Sequence, residues 1–336
     1  MKNKVKDQIH TDNYSIFSGD CIDVISDLPD NSIDLSVYSP PFCGLYIYSS
    51  DHRDMSNNES KEDFLKHYEF LIEQMVRVLK PGRICAVHCT DVIMQTTKHN
   101  LWDFPHEIIK LHLKHGFTYN NRITIWKEPL EVRMRTMVQS LTHKNIVEDS
   151  TRCFTAIPDY VLIFRKGGEN KVPVTHAHGL VDFPYFGETP FLEMHKKQYG
   201  NYEDFVAKYK NEKDPKKNKL SHLTWQRYAS SVWDDIRNSN VLEFKNAKEE
   251  DDEKHVHPLQ LDVIDRLVYL YSNPDEVVLT PFMGVGSEVY SPVSLGRKAI
   301  GIELKDSYFK QAKLNLDDAE KRFKETIKVV GLFDGV

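Results

Sequence analysis

Val277-Val278-Leu279-Thr280-Pro281-Phe282-Met283-Gly284-Val285-Gly286-Ser287 is the stretch whose reading decides how this chain folds. An apolar, β-branched run of this length reads as a short buried strand, and it runs straight into a Gly-x-Gly turn. The spacing predicts a helix next, with Pro292 in its first turns or kinking it. A second strand follows, Lys298-Ala299-Ile300-Gly301-Ile302-Glu303-Leu304, and it ends in an acid. Glycines let the backbone approach a ligand closely, and an acid at the tip of the next strand suits ribose hydroxyls. A lone Gly-x-Gly carries little information. The order strand, glycine turn, helix, strand, acid carries more, because each part sits where a nucleoside needs it.

Far upstream, Ile33-Asp34-Leu35-Ser36-Val37-Tyr38 alternates as a strand does and stops at Ser39-Pro40-Pro41-Phe42. Two prolines cannot continue a sheet ladder, and they donate no N–H, so nearby carbonyls stay free as acceptors. A hydroxyl in front adds an acceptor, and an aromatic behind offers a face to a flat base. The tetrapeptide reads as a grip for an exocyclic amino group, against the plainer reading of a strand-ending turn.

The intervening segments alternate in period. Tyr14-Ser15-Ile16-Phe17 reads as a strand followed by a helix. Residues 60–79 carry Phe64, Leu65, Tyr68, Leu71, Ile72, Met75, Val76 and Leu79 on one helical face. Strands are expected at 84–88, 117–119, 122–126 and 160–164, and helices at 105–114 and 259–271. Arg133-Met134-Arg135-Thr136-Met137 reads as a basic loop. Strands alternating with helices imply an α/β fold with a doubly wound, mostly parallel sheet, whose ligands sit at the carboxyl ends of the strands.

Together these segments resemble the permuted branch of the S-adenosylmethionine-dependent DNA amino-methyltransferases, in which the catalytic motif precedes the cofactor motif. Gly19-Asp20-Cys21, Leu28-Pro29-Asp30-Asn31-Ser32, Val78-Leu79-Lys80-Pro81-Gly82-Arg83, His257-Pro258-Leu259-Gln260 and Ser272-Asn273-Pro274 fit that pattern in the right order. The resemblance implies a Rossmann-like methyltransferase fold with S-adenosylmethionine as cofactor. It divides the chain into a catalytic half at 1–164, an inserted target-recognition region at 165–253 and a cofactor-binding half at 254–336. It assigns the amine grip to Ser39, Pro40, Pro41 and Phe42. Asp20 falls to the adenine end of the cofactor and Glu303 to its ribose. Pro281, Phe282, Gly284, Gly286 and Ser287 shape the methionine pocket, and His257 and Gln260 close it. Ser at the head of the tetrapeptide is typical of cytosine-N4 enzymes and Asp of adenine-N6 enzymes, so N4 of cytosine is the expected target and N6 of adenine the alternative. One departure stands out: Thr280 takes the place of the family's usual Asp, which puts cofactor binding in question.

Composition is consistent with this reading. The chain has 336 residues, 40% of them hydrophobic, and a formal net charge of −6. No apolar run reaches membrane-spanning length, and no apolar signal core follows Met1-Lys2-Asn3-Lys4, so a cytoplasmic protein of a prokaryotic cell, its phage or a mobile element is expected. The 5 cysteines are unevenly spaced and read as free thiols. Cys85-Ala86-Val87-His88-Cys89 reads as a buried strand rather than a metal site, and no metal is expected.

The overall charge does not advertise nucleic acid, but its distribution does. Residues 196–228 carry 9 Lys/Arg against 4 Asp/Glu, with Tyr199, Tyr202, Tyr209, Trp225 and Tyr228 interleaved. Basic and aromatic side chains together suit phosphate contact and base stacking. Arg133, Arg135, Lys196, Lys197, Lys217, Trp225, Arg227 and Tyr228 are the expected contacts to double-stranded DNA. Residues 211–219 read equally well as a solvated loop. A homodimer is compatible with the chain, and no cognate endonuclease can be inferred.

Other classes fit less well. Methylation at cytosine C5 needs a cysteine nucleophile, and Cys43 follows Phe42 rather than the proline pair. An amino-methyltransferase acting on protein or RNA is a further class: amide-methylating relatives share a Pro-Pro-aromatic motif but typically carry Asn in front, and Ser39 with the basic insertion favours DNA. A DNA- or partner-binding module without methyl transfer has Thr280 as its sole sequence support.

Overall fold

The computed structural model describes residues 5–42, 53–57, 60–93, 100–136, 138–182, 190–247 and 258–333. The chain opens with β1 (Val5–His10), β2 (Tyr14–Gly19), α1 (Cys21–Ser26) and β3 (Ile33–Tyr38). Next come α2 (Lys61–Val78), β4 (Leu79–Thr90), the short pair β5 (Val92–Ile93) and β6 (Leu101–Trp102), α3 (Phe104–Lys114) and β7 (Phe117–Ile125). Two helices, α4 (Pro129–Thr136) and α5 (His143–Asp149), lead to β8 (Asp159–Lys166). After them stand α6 (Pro190–Tyr199), α7 (Tyr202–Tyr209), α8 (Lys219–Tyr228) and β9 (Val232–Trp233). The last third holds α9 (Leu261–Tyr271), β10 (Val277–Thr280), α10 (Ser287–Ser294), β11 (Lys298–Glu303) and α11 (Asp306–Phe333).

One nine-stranded sheet runs in the order β1-β2-β11-β10-β3-β4-β8-β7-β9. The five strands β2, β11, β10, β3 and β4 are mutually parallel, and β8 joins β4 antiparallel. The glycine-turn unit that comes late in the chain therefore sits at the centre of the sheet. Helices cover both faces. On one, α1, α2 and α3 close over Phe17, Tyr38, Cys85, Val87 and Phe164; on the other, α9 packs on Leu35, Val37 and Ala86. The same side continues with α10 and α11 over Tyr14 and Ile16. Burial on both faces explains why β3 is enclosed along its whole length, as a central parallel strand requires.

Helix boundaries follow local chemistry. Ser60 caps α2 by accepting from the Asp63 N–H at 3.1 Å, and Phe64, Tyr68, Leu71, Ile72 and Met75 line its buried stripe. Pro292 falls near the end of α10 rather than in its first turns, and the helix stops two residues later. Residues 129–136 form a helix, which corrects the basic loop expected at 133–137. Pro129 opens it, and the Glu128 carboxylate accepts from the Glu131 N–H at 2.8 Å, a helix start the sequence reading passed over. The segment read as an insert from 165 returns to the sheet well before 253: β9 lies parallel to β7, and the Trp126 N–H donates to the Trp233 carbonyl at 3.0 Å.

Candidate active site

β3 and β10 are parallel neighbours in which Ser36 faces Leu279. Three residues further along, the two strands release Ser39 and Phe282 side by side, so the Ser-Pro-Pro-Phe and Pro-Phe-Met-Gly-Val-Gly turns leave the same sheet edge. β2 and β11, in register at Ser18 and Glu303, bring Asp20 and Glu303 to that edge as well. A cavity of about 250 Å³ opens there, at the carboxyl ends of the strands where ligands of doubly wound folds bind. Asp20, Ser39, Pro40, Pro41, Phe42, Gln260, Pro281, Phe282, Gly284, Ser287 and Glu303 all line it. His257 lies outside the described residues, as does Cys43. Gly286 does not line the cavity. Its φ of 99° turns the chain into α10, a conformation that glycine adopts without strain.

The pocket is acidic on its cofactor-motif side. Glu303 accepts from the Gly284 N–H at 2.9 Å and from the Lys305 N–H at 2.8 Å, and burial pushes its carboxyl up to about 7. Glu288, on the first turn of α10, also lines the cavity, and burial with Glu303 nearby pushes it up to about 8. Sequence reading missed Glu288, although its place directly after Ser287 was the available signal. Asp20 accepts from the Ile22 and Asp23 N–H groups through one oxygen, at 2.8 and 3.2 Å, and so caps α1 while facing the pocket. Thr280 is fully buried and is not among the lining residues. Glu276 is held elsewhere, ion-paired with Arg83.

The tetrapeptide side holds a network the sequence did not reveal. His88 Nδ1 lies 3.2 Å from Ser39 Oγ, and its Nε2 lies 3.2 Å from Asp159 Oδ2, off the line of a hydrogen bond. Lys127 Nζ reaches the same Asp159 oxygen at 2.7 Å. Burial alone would raise the Asp159 carboxyl, but Lys127 and His88 hold it well below the usual carboxylate range. The sheet explains the meeting. β4 runs parallel to β3 and delivers His88 one residue past the pair Tyr38 and Val87; antiparallel β8 starts at the same edge and so presents Asp159 first. Alternation along β4 sends Cys85 and Cys89 to the opposite face, which separates them from His88.

The chain matches the family described as DNA methylase, the N6/N4 methyltransferases, over residues 33–314. It belongs to that family. It is 26% identical over 295 residues to Type II methyltransferase M.BglII of Bacillus subtilis, covering 87% of this chain and 66% of that protein. It is 24% identical over 319 residues to Type II methyltransferase M.BamHI of Bacillus amyloliquefaciens, covering 95% of this chain and 61% of that protein. The chain thus spans less than two thirds of the length of these two curated relatives. Among solved structures, the PvuII DNA methyltransferase (cytosine-N4-specific) superposes with a TM-score of 0.58 at 14% identity, covering 95% of each chain. The Thermus thermophilus protein TTHA0409, solved in complex with S-adenosyl-L-methionine, gives a TM-score of 0.57 at 21% identity, covering 91% of this chain and 95% of that one. These two superpositions establish the shared methyltransferase fold.

The residues of this family member expected at DNA divide sharply. Lys196 and Lys197 are exposed at the end of α6, and Trp225 is 57% exposed on α8. Lys217 is exposed and pairs with Asp214 at 3.4 Å, while Arg133 on α4 is half-buried. Arg135 falls on α4 too, but its side chain lies outside the described set. Arg227 is corrected as a phosphate contact. It is 4% exposed, donates to Asp235 at 3.1 Å and pairs with Asp234 at 2.7 Å. Arg266 donates to the same Asp235 at 2.6 Å, so this one shared acid joins Arg227 of α8 to Arg266 of α9. Tyr228 likewise turns inward and meets the Tyr271 hydroxyl at 3.2 Å. Among the described residues no helix is long and apolar enough to cross a membrane.

Proposed function

We propose that this protein transfers a methyl group from S-adenosylmethionine to the exocyclic amine of a base in double-stranded DNA, with N4 of cytosine as the target. The observation that carries the reading is the delivery of Ser39-Pro40-Pro41-Phe42 and the glycine turn by adjacent parallel strands into one cavity. The strand order supports the permuted arrangement: catalytic strand early in the chain, glycine-turn strand late, the two paired in space.

The residues present fit the cofactor. The buried carboxyl group of Glu288 and the half-buried one of Glu303 suit a cationic nucleoside with ribose hydroxyls, and the buried Ser287 Oγ and Gln260 Oε1 have no hydrogen-bond partner among the described residues. S-adenosylmethionine bound there supplies an electrophilic methyl carried on a sulfonium.

An exocyclic amine is a poor nucleophile because its lone pair is delocalised into the ring. Ser39 Oγ and the Pro40 carbonyl accept its two hydrogens, so the nitrogen pyramidalises and its lone pair turns toward the methyl. Phe42, half-buried and edge-on to Phe104 at 6.0 Å between ring centroids, offers its face to the base. Positioning and fixed dipoles supply most of the rate, and no covalent enzyme intermediate is needed. A base inside a duplex cannot reach this cavity, so it is flipped out. Lys196, Lys197 and Trp225 supply phosphate and stacking contacts outside the pocket.

Mass spectrometry of nucleosides from DNA treated with the protein and cofactor tests the assignment. N4-methylcytosine is expected. N6-methyladenine would retain the fold and chemistry and overturn the choice of base. Stoichiometric cofactor and DNA binding with neither product would establish the binding-module alternative.

A further inference from the structure

Resting on that reading, we infer that His88, beside an Asp159 that Lys127 pairs with, is the residue that receives the proton released by methylation, and that it acts through Ser39. Methylating an amine leaves a proton to place. A C–N bond forms as the C–S bond breaks, the C–S electron pair stays on sulfur, and the nitrogen must lose one hydrogen to become a neutral secondary amine. Ser39 Oγ accepts a hydrogen bond from that nitrogen but cannot keep a second proton. The step balances as a relay, in which Oγ takes the amine proton as its own passes to a base.

The geometry places one. His88 Nδ1 lies 3.2 Å from Ser39 Oγ, on the side of the imidazole opposite Asp159. The negative charge of Asp159, 3.2 Å from Nε2 although off the line of a hydrogen bond, favours the proton there and leaves Nδ1 as the acceptor. The same carboxylate then stabilises the imidazolium. Asp159 is ready for this, because the buried Lys127 holds it ionised. Asp159 is 7% exposed and Lys127 5%, which fixes both and limits screening by water. His88 itself is 9% exposed yet lines the cavity, so it is shielded by protein and still open to the reacting side. Its tautomer also orients Ser39. A hydroxyl that donates to Nδ1 presents only lone pairs to the base, so Ser39 is committed as an acceptor before the amine arrives.

His88→Gln and His88→Ala separate a proton acceptor from a packing residue. A glutamine amide oxygen accepts the Ser39 hydrogen bond but cannot take its proton. Both variants are expected to bind S-adenosylmethionine and duplex DNA within a few-fold of the parent. Both are expected to lose about 100-fold in single-turnover methylation, the scale of general-base catalysis, and added imidazole is expected to restore part of the rate in His88→Ala. Single-turnover rates equal to the parent would overturn the inference, as would a loss in His88→Ala that imidazole leaves untouched while His88→Gln is fully active. A second readout needs no turnover. In ¹⁵N-histidine NMR of the ligand-free protein, neutral His88 is expected to carry its proton on Nε2, and Asp159→Asn is expected to disturb that tautomer. A proton on Nδ1 would overturn the relay whatever the assay gives. An unmodified protein that produces no methylated nucleoside would instead overturn the parent reading.

Discussion

Ser39 is where sequence and geometry agree most directly. A proline pair must end a strand, so the hydroxyl before it had to sit at a sheet edge, and it lines the cavity formed there. Ser39→Ala removes the hydroxyl that bonds His88 and faces the side of the cavity proposed for the base. The expected outcome is a loss of methylation of about 100-fold or more with cofactor affinity unchanged, checked by single turnover and by calorimetric titration. The acids make a different prediction. Glu288 is raised from an ordinary 4.5 to about 8, so the folded, ligand-free protein holds a proton there that the unfolded chain releases. Its contribution to stability is fully present below about pH 4.5 and is lost as pH rises toward 8. The melting temperature of ligand-free protein should therefore fall across that range, less steeply in Glu288→Gln. A cationic cofactor should stabilise the parent more at the alkaline end, and equal stabilisation at both ends would count against an acid-lined cofactor site. His88 was not legible in the sequence, because its partners come from β8 and the turn after β7, far along the chain. Nothing in Cys85-Ala86-Val87-His88-Cys89 shows that the residue facing away from the two cysteines meets Ser39.

At the scale of elements, the unit β10–α10–β11 was the most readable part of the molecule. Its strand, glycine turn and acid each follow from a local constraint. Gly301 shows how tightly that unit is built. A Cβ there would lie 2.5 Å from Val289 Cγ2 and 2.7 Å from Met283 Sδ, both of them buried. Gly301→Ala should cost about 1–3 kcal/mol, as overpacked cores do, and should weaken cofactor binding by displacing Met283 from the turn. Chemical denaturation and titration check both effects, and a fully stable variant would show that the turn has room to spare. The helix α4 replaces the expected loop because Glu128 and Pro129 supply a helix start that basic composition alone does not reveal. The role of Arg227 is hidden for a related reason: a charge pattern along the sequence cannot say which cation the fold spends on its own acids, and Asp234 and the buried Asp235 hold this one.

For the whole molecule, the sheet order brings five parallel strands to one edge, and Ser39, Phe42, Glu288, Glu303 and His88 all line the cavity there. The surface beyond the pocket carries the exposed Lys196, Lys197 and Trp225. A double Lys196→Ala/Lys197→Ala variant should bind all duplexes more weakly and reduce the slope of log affinity against log salt by about 2, without changing melting temperature. An unchanged slope would remove α6 from the DNA path. The fold was legible because alternating strand and helix periods leave few topologies open. The DNA surface was not, since exposure and pairing are properties of the folded chain. The most direct test of the central claim is transfer of a trideuterated methyl from labelled S-adenosylmethionine into duplex DNA, followed by nucleoside mass spectrometry. The account predicts label on the amino nitrogen of cytosine with the parent protein, and labelling slower by about 100-fold or more with Ser39→Ala. Label on cytosine C5, or equal labelling by the Ser39→Ala variant, would contradict it.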